Sequence, residues 1–174
     1  MTVTRFAMMT VLGVLALLAS ACQSWAERGP QQGGKPAAEV IYTSQHCDHS
    51  QTAPSATWID TARELETRLR QIRTGMLGGK PIDLPVLDFQ HEIALLVEMG
   101  QRPTLGYRLE MAGANELRIS QDPARLTLDW LHPPADALVA QAISSPCLLI
   151  RLERGNYTSI QILDRQGVVK TSTH

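Results

Sequence analysis

The hydrophobic pattern of this chain changes its period near Phe89. Before that residue, apolar positions recur at helical spacing and predict one amphipathic helix over about 57–74. The apolar stripe of this helix consists of Trp58, Ala62, Leu65, Leu69 and Ile72. Thr57 and Asp60 have the spacing of a capping box at its start. The opposite face is rich in arginine and glutamate, and we interpret it as a solvated face rather than a docking surface.

After Phe89 the period is two. Ile93 to Val97 form a continuous apolar run, typical of a strand covered on both faces, and Leu105 to Met111 alternate. Further strands are predicted at 40–42, 117–119, 126–130, 139–143, 148–152 and 160–162, and after a turn at 164–167. The pattern indicates an α+β, β-dominated fold: an antiparallel sheet, a sandwich or an open barrel of about six to seven strands with one helix.

The first 21 residues have the order of an export signal. Arg5 supplies a positive charge, Phe6 to Leu18 are almost all apolar, and Ala19 to Ala21 are small. This apolar stretch is too short for a permanent transmembrane helix, because a ~30 Å hydrocarbon layer requires about 20 residues. We therefore predict a signal peptide over residues 1–21 and a mature protein that works outside the cytoplasm.

The residues around Cys22 resemble the lipobox of bacterial lipoproteins, which predicts lipid attachment at Cys22 and a membrane as its partner. Ala19 departs from the leucine preferred in such signals, and ordinary cleavage after an A-x-A sequence is the alternative. Gln23 after the cysteine favours an outer membrane lipoprotein that faces the periplasm. Residues 22–38 predict a flexible spacer, which leaves 39–174 as a single β-rich domain.

The formal net charge is −1 and no run of Lys or Arg is present, so no nucleic-acid partner is predicted. Cys47 and Cys147 form an even pair in an oxidising compartment, which favours a disulfide between them. Free buried thiols are the first alternative, and a metal or redox site is a further one, because His46, Asp48 and His49 adjoin Cys47. That cluster has no second group of ligands at a recognisable spacing, and we predict neither a metal nor a cofactor.

The sequence gives no positive indication of catalysis. It contains no G-x-S-x-G elbow, no P-loop, no H-E-x-x-H and no Gly-rich dinucleotide turn. We interpret His91 and His132 as residues at the surface or at strand ends. No catalytic residue is predicted, and the protein is expected not to be an enzyme.

The segment 101–107 is the candidate protein-binding loop. Pro103 stiffens its backbone and Gly106 permits either sign of φ, so the loop can hold one shape. Arg102 and Tyr107 are residue types that carry binding energy in interfaces, and Thr104 lies between them. An ordinary hairpin loop with Tyr107 buried in the sheet is the equally weighted alternative.

Several motifs, in order, resemble the PrcB family of protease-complex subunits over about residues 88–154. They are Asp88-Phe89, 94–100, Arg102-Pro103-Thr104, Gly106-Tyr107, Pro133-Pro134, 139–141 and 145–152. The resemblance implies a surface lipoprotein that associates with a subtilisin-like protease and stabilises it. Leu105 replaces the small residue more usual in the family, and Cys147 replaces an aromatic one, which strengthens the case for a bond to Cys47.

Taken together, these features predict an envelope lipoprotein that acts as a non-enzymatic protein-binding accessory, with a protease as the partner that the resemblance implies. Two alternatives stay open. The loop 101–107 is also similar to the P-T-x-G-Y loop of chagasin-type cysteine-protease inhibitors, which implies a protease inhibitor that presents this loop. An envelope enzyme or small-ligand carrier would require a deep pocket with convergent polar groups.

Overall fold

The computed structural model describes residues 37–48, 50–74, 85–113, 117–118 and 122–173, with the backbone alone at 73–74 and 117–118. The chain divides into two units, Met1–Lys35 and Pro36–His174, and the described residues belong to the second. The predicted signal peptide, Cys22 and most of the predicted spacer lie outside the described residues, as do His49 and Ile119. In the described part of the chain, no helix is long and apolar enough to cross a membrane.

The described residues form nine strands and one helix. In chain order these are β1 (Ala38–Ser44), β2 (Ser55–Ile59), α1 (Ala62–Thr74), β3 (Glu92–Glu98), β4 (Arg108–Met111), β5 (Leu117–Arg118), β6 (Ala124–Leu131), β7 (Cys147–Glu153), β8 (Ile160–Leu163) and β9 (Val169–Ser172). The predicted β-dominated class is confirmed. The predicted number of strands is too low, partly because β2 occupies residues that the sequence pattern assigns to the helix.

The strands form two sheets that face each other as an open sandwich rather than a closed barrel. The first sheet has the order β1-β7-β3-β2 and is antiparallel throughout. The second has the order β4-β6-β8-β9, and β5 also pairs with β6. Of the predicted alternatives the sandwich is the one observed, and its second sheet is mixed because β6 and β8 are parallel. Between them the chain crosses to the first sheet to form β7, and such a crossover allows two strands to run in the same direction.

The central strands β3 and β7 are buried on both faces, as the continuous apolar runs predict. Because side chains alternate between the faces, the two strands supply two separate core clusters. The cluster between the sheets includes Leu95, Val97, Ile150, Leu126 and Ile162. The cluster beneath the helix includes Ala94, Leu96, Leu149, Ile59, Leu65 and Leu69. The domain therefore consists of a helix layer, the first sheet and the second sheet.

The helix α1 begins at Ala62, later than predicted, because the preceding residues pair with β3. Thr57 lies opposite Leu96 in that pairing, so it is a strand residue and not a helix cap. The N-cap is Thr61, whose hydroxyl accepts a hydrogen bond from Glu64 N at 3.2 Å. Thr61 and Glu64 match the T-x-x-E capping box better than Thr57 and Asp60 do.

The predicted helix stripe is correct in its second half. Leu65, Leu69 and Ile72 are buried against the first sheet. By contrast, Ala62 is exposed, and Trp58 packs against the cluster between the sheets from its place on β2. Ala62 lies in α1, as predicted, and is its first residue, whereas Trp58 belongs to β2 and matches the helical stripe only by its spacing.

Arg151 forms a buried ion pair on the helix side of the first sheet. Its side chain is 2 % exposed, and its Nη1 donates to Glu92 Oε1 at 3.0 Å. Its Nε and Nη2 donate to Glu39 Oε2 at 3.0 and 2.8 Å. Because Glu92 lies on β3 and Glu39 on β1, the guanidinium links β7 to both of its neighbours.

Candidate functional site

Three irregular segments meet at the end of the first sheet where β1 and β3 finish and β7 begins. They are 45–53, 99–107 and 132–146, and we call them together the loop platform. Arg102 and Ser144 exchange backbone hydrogen bonds of 2.8 and 3.0 Å, and Leu105 N donates to Ala140 O at 3.1 Å. The segment that follows β3 is therefore supported along its length by the segment that precedes β7.

The prediction of a strand over 139–143 is wrong. These residues are irregular, and the neighbouring Ser144 forms only an isolated bridge to Arg102. The alternation of Val139, Gln141 and Ile143 resembles that of a strand, but no described strand pairs with them. The segment 132–146 has prolines near both ends, Pro133 and Pro134 at one and Pro146 at the other. They lack a backbone N–H donor and favour an irregular path.

The segment after β1 is hydrogen-bonded to both of the other platform segments. Cys47 N donates to Ser145 O at 3.0 Å, and Ser145 N donates to Gln45 O at 2.8 Å. On the other side, Gln101 N donates to Gln51 O at 2.8 Å. The three segments thus form one hydrogen-bonded layer, so a displacement of one segment is resisted by the other two.

Arg102 lies half-buried in this layer and its guanidinium turns back onto its own segment. Its Nη2 donates to Met99 O at 2.6 Å, and its Nη1 donates to Gln101 O at 3.2 Å. Its Nε is buried and has no hydrogen-bond partner. These two hydrogen bonds to carbonyl groups of its own segment hold the loop in shape.

The remaining candidate residues of the loop divide into a tip and a base. Pro103 is exposed, and Thr104 O accepts a hydrogen bond from Ser144 Oγ at 2.8 Å. Gly106 has a φ of 94°, and a Cβ there would lie 3.1 Å from Pro133 Cβ. Tyr107 is half-buried and packs edge-on against His132, with ring centroids 5.3 Å apart. Gly106 therefore permits the close approach of 99–107 to 132–146.

The most exposed apolar side chains of the platform are in the segment before β7. Leu138 is fully exposed and Ile143 is 59 % exposed. Asp136 is the single Asp, Glu, Lys or Arg in 132–146, and Arg102 is the single one in 99–107. The sequence pattern did not identify Leu138 or Ile143 as surface residues, since it placed them in or beside a strand. The nearby Pro133-Pro134 was the available signal that this segment is a loop.

A disulfide between Cys47 and Cys147 lies beneath the platform, with the Cα atoms 5.9 Å apart. This is the pairing that the cysteine count favours. Glu98 lies directly opposite Cys147 in the β3–β7 register and is buried. Burial raises the pKa of the Glu98 carboxyl, and a 3.0 Å hydrogen bond from Ser55 Oγ opposes this shift.

Comparison with known protein families gives a match that covers two of the three platform segments. A family model described as PrcB C-terminal matches the chain there. Residues 93–153 match the PrcB C-terminal family. The resemblance that the sequence motifs predict over about 88–154 is thereby confirmed. Neither a curated protein nor a solved structure matches the chain.

The PrcB C-terminal match runs from the second residue of β3 to the last residue of β7. It contains two of the three platform segments, 99–107 and 132–146. The third segment, 45–53, lies outside the match together with β1, β2, α1, β8 and β9. Two central strands and the loops that they support are therefore the part of this chain that is similar to the PrcB C-terminal family.

Outside the platform, one groove and the possible metal ligands bear on the binding of a small ligand. This groove lies beside β6 and is lined by charged groups that are paired with each other: Arg165 with Asp129, and Lys170 with Asp164 at 2.8 Å. Among the described residues, no three His, Cys, Asp or Glu side chains are grouped so that they could hold a metal ion. The platform is consequently the surface on which we base a function.

Proposed function

We propose that this protein is a lipid-anchored, non-enzymatic subunit of an envelope protease complex that binds its partner through the loop platform. The observation that carries the proposal is the pair of exposed aliphatic side chains, Leu138 and Ile143, on a hydrogen-bonded framework. This framework lies mainly within the match to the PrcB C-terminal family. The resemblance to PrcB is what supports a subunit of a protease complex. The anchor rests on the sequence around Cys22.

Exposed aliphatic groups on a fixed framework suit protein recognition for two physical reasons. Burial of apolar surface contributes about 25 cal/mol per Å² removed from water. A loop that is already held in one shape also loses less conformational entropy on binding than a flexible one. Arg102 and Gly106 fulfil this second requirement, since both maintain the shape of 99–107.

Cross-linking and affinity purification from the native envelope test the proposal. A double variant, Leu138→Ser with Ile143→Ser, should lose most of the recovered partner while its thermal unfolding stays unchanged. Val86→Ser is the matched control, because Val86 is 97 % exposed but lies outside the platform. Unchanged recovery of the partner with the folded double variant would refute the platform as the binding site.

The ionic strength of the buffer provides a second measurement on the same complex. Because the platform segments 99–107 and 132–146 each carry a single charged residue, recovery of the partner should change little between low and high salt. A steep loss of partner at high salt would indicate that a charged surface elsewhere on the molecule makes the contact.

Protease inhibition is the second candidate function. It is favoured by the arrangement of 101–107, in which Pro103 is exposed at the tip and the base is hydrogen-bonded to Ser144 and Ala140. A wedge of this kind can enter an active-site cleft, whereas a docking subunit leaves the protease active. Turnover assays with serine and cysteine proteases distinguish the two, since dose-dependent inhibition is expected only from an inhibitor.

A further inference from the structure

The Cys47–Cys147 disulfide joins the first platform segment to the start of β7, with a sequence separation of 100 residues. Cys147 is the first residue of β7 and is 1 % exposed, so it is fixed by the core. Cys47 lies in the segment after β1, whose described residues have no regular secondary structure apart from an isolated bridge at His46. The bond therefore attaches an irregular segment to a rigid strand.

The segment attached in this way supports the loop after β3. Gly100 has a φ of 79°, and a Cβ at this position would lie 2.7 Å from Thr52 O and 2.8 Å from Ala53 O. The backbone of 51–53 is thus in direct contact with the start of 99–107. Gln101 N also donates a hydrogen bond to Gln51 O. By fixing the segment 45–53, the disulfide therefore also restrains the start of the loop 99–107.

The sheet beneath the platform does not depend on this bond for its pairing. β7 is paired with β3 over seven residue pairs and with β1 over six. Its side chains are buried in both core clusters. Loss of the disulfide therefore removes a constraint on 45–53 while the strands retain their own hydrogen bonds and apolar contacts.

The two sulfur atoms differ in their access to an external thiol. Cys147 is buried, whereas Cys47 is half-buried and lines an open groove beside Asp48, Arg68 and Glu98. Thiol–disulfide exchange occurs at the sulfur that an attacking thiolate can reach. This difference assigns the attack to Cys47.

We propose that the Cys47–Cys147 disulfide is a redox-sensitive bond that positions the loop platform. A dithiol reductant breaks it by attacking Cys47 Sγ. The reductant's thiolate forms a new S–S bond with Cys47, the Cys47–Cys147 bond breaks, and Cys147 leaves as a thiolate that takes up a proton. The second thiol of the reductant then displaces Cys47 as a thiol, and the reductant is oxidised to its own disulfide. The positioning follows from the contacts above, and its effect on partner binding rests on the proposed function.

Amide hydrogen exchange on the full chain tests the positioning without any partner. We compare the oxidised protein, the protein reduced with dithiothreitol, and the double variant Cys47→Ser with Cys147→Ser. Exchange at the amides of Gln101, Arg102 and Ser145 should rise by about tenfold or more in both disulfide-free forms. Exchange at Leu95 and Leu149, in the centre of the first sheet, should stay the same.

Each result of this experiment decides the matter. Unchanged exchange in the platform, after a thiol count has confirmed reduction, overturns the proposal. Increased exchange at Leu95 and Leu149 as well overturns it too, because the bond then holds the whole fold and not the platform. Dithiothreitol should have no effect on the double variant, which controls for other actions of the reductant. If a monothiol is used in place of dithiothreitol, it should form a mixed disulfide with Cys47. A mixed disulfide with Cys147 instead would contradict the assigned point of attack.

Recovery of the cross-linked partner provides the functional readout. The reduced protein and the double variant should capture several-fold less partner than the oxidised protein. If the platform loosens in the exchange experiment but capture is unchanged, the positioning stands and the platform is not the binding site. The two proposals therefore fail in distinguishable ways.

Discussion

Arg151 is a charged residue inside the packed domain, and its charge is paired with the carboxylates of Glu39 and Glu92. The guanidinium donates to carboxylates on both neighbouring strands, one of which, Glu92, is itself buried. A buried pair is weak evidence of net stabilisation, but removal of one partner leaves the other charge uncompensated. Substitution of Arg151 alone is therefore expected to destabilise the first sheet strongly.

We predict that Arg151→Ala lowers the free energy of unfolding by about 3–5 kcal/mol. Arg151→Met with Glu92→Met should cost much less, since both buried charges are removed and the remaining partner, Glu39, is about half exposed to water. Arg108→Ala breaks an exposed ion pair with Glu110 and serves as the control, with an expected change of about 1 kcal/mol or less. Urea denaturation measures all three. Equal losses for Arg151→Ala and Arg108→Ala would contradict the buried pairing.

Glu98 gives the domain a predictable dependence on pH. Because burial raises the pKa of its carboxyl in the folded state, the folded chain binds more protons than the unfolded chain between the two pKa values. This contribution to stability is therefore present at low pH and is lost as pH rises through the raised pKa. Glu98→Gln removes the titration and retains an oxygen that can accept the hydrogen bond from Ser55.

We accordingly predict that Glu98→Gln becomes more favourable, relative to the natural protein, from about pH 4 to about pH 7. Denaturant unfolding at the two pH values measures the difference. Glu66→Gln, on the exposed face of α1, is the control, with an expected effect within about 0.5 kcal/mol. A Glu98→Gln effect that is the same at both pH values would disprove the linkage.

At the scale of elements, the start of α1 is the best local test of the structure. Thr61→Ala should destabilise the domain by about 1 kcal/mol, because it removes the hydroxyl that accepts the Glu64 amide. Thr61→Ser retains the acceptor and should restore most of the loss. Thermal unfolding of the two variants provides the comparison. No difference between alanine and serine would mean that Thr61 is not the cap.

Two glycines with the same backbone angle separate steric contact from conformational cost. Gly100 and Gly167 both have a φ of 79°, but a Cβ at Gly167 would have nothing within 4 Å. Gly167→Ala should thus cost only the left-handed conformation, about 1 kcal/mol. Gly100→Ala also forces the Cβ against the backbone of 51–53 and should cost clearly more. Equal costs would show that the platform segments are not in contact there.

The elements that the sequence predicts well are those whose pattern has one meaning. The apolar run of β3 indicates a strand buried on both faces, and the second half of α1 has a stripe that only a helix explains. β2 is not predicted because Trp58 also fits the helical stripe that continues through Leu65 and Leu69. The irregular segment 139–143 was assigned to a strand because alternation does not reveal whether a neighbouring strand exists. Such pairing is a tertiary property, absent from a single window of sequence.

The candidate loop shows the same limit for the site. Its residues were identified by type, and the structure places Arg102 and Gly106 at positions that maintain its shape. Leu138 and Ile143 could not be identified as exposed from the sequence, because an aliphatic residue in an alternating pattern ordinarily predicts burial. Exposure depends on the path of the loop, which is set by contacts with 99–107.

At the scale of the whole molecule, the sequence before the domain predicts where the protein works. If Cys22 carries lipid, the mature protein starts at that residue, has the added mass of acyl chains and fractionates with membranes. Cys22→Ser should release the protein into the soluble fraction. Mass spectrometry of the mature N-terminus measures this directly. A mature chain without acyl mass would favour ordinary cleavage instead.

The order in which the chain visits the two sheets has a consequence for how the domain folds. β1 to β3 belong to the first sheet, β4 to β6 to the second, β7 returns to the first, and β8 and β9 return to the second. Neither sheet is complete until the chain has left it and come back. The region 93–153, which matches the PrcB C-terminal family, is consequently not a folding unit. It contains the two central strands of the first sheet without the edge strands, and only part of the second sheet. Because each sheet needs pairing between strands that are distant in the sequence, folding should be slow and all-or-none.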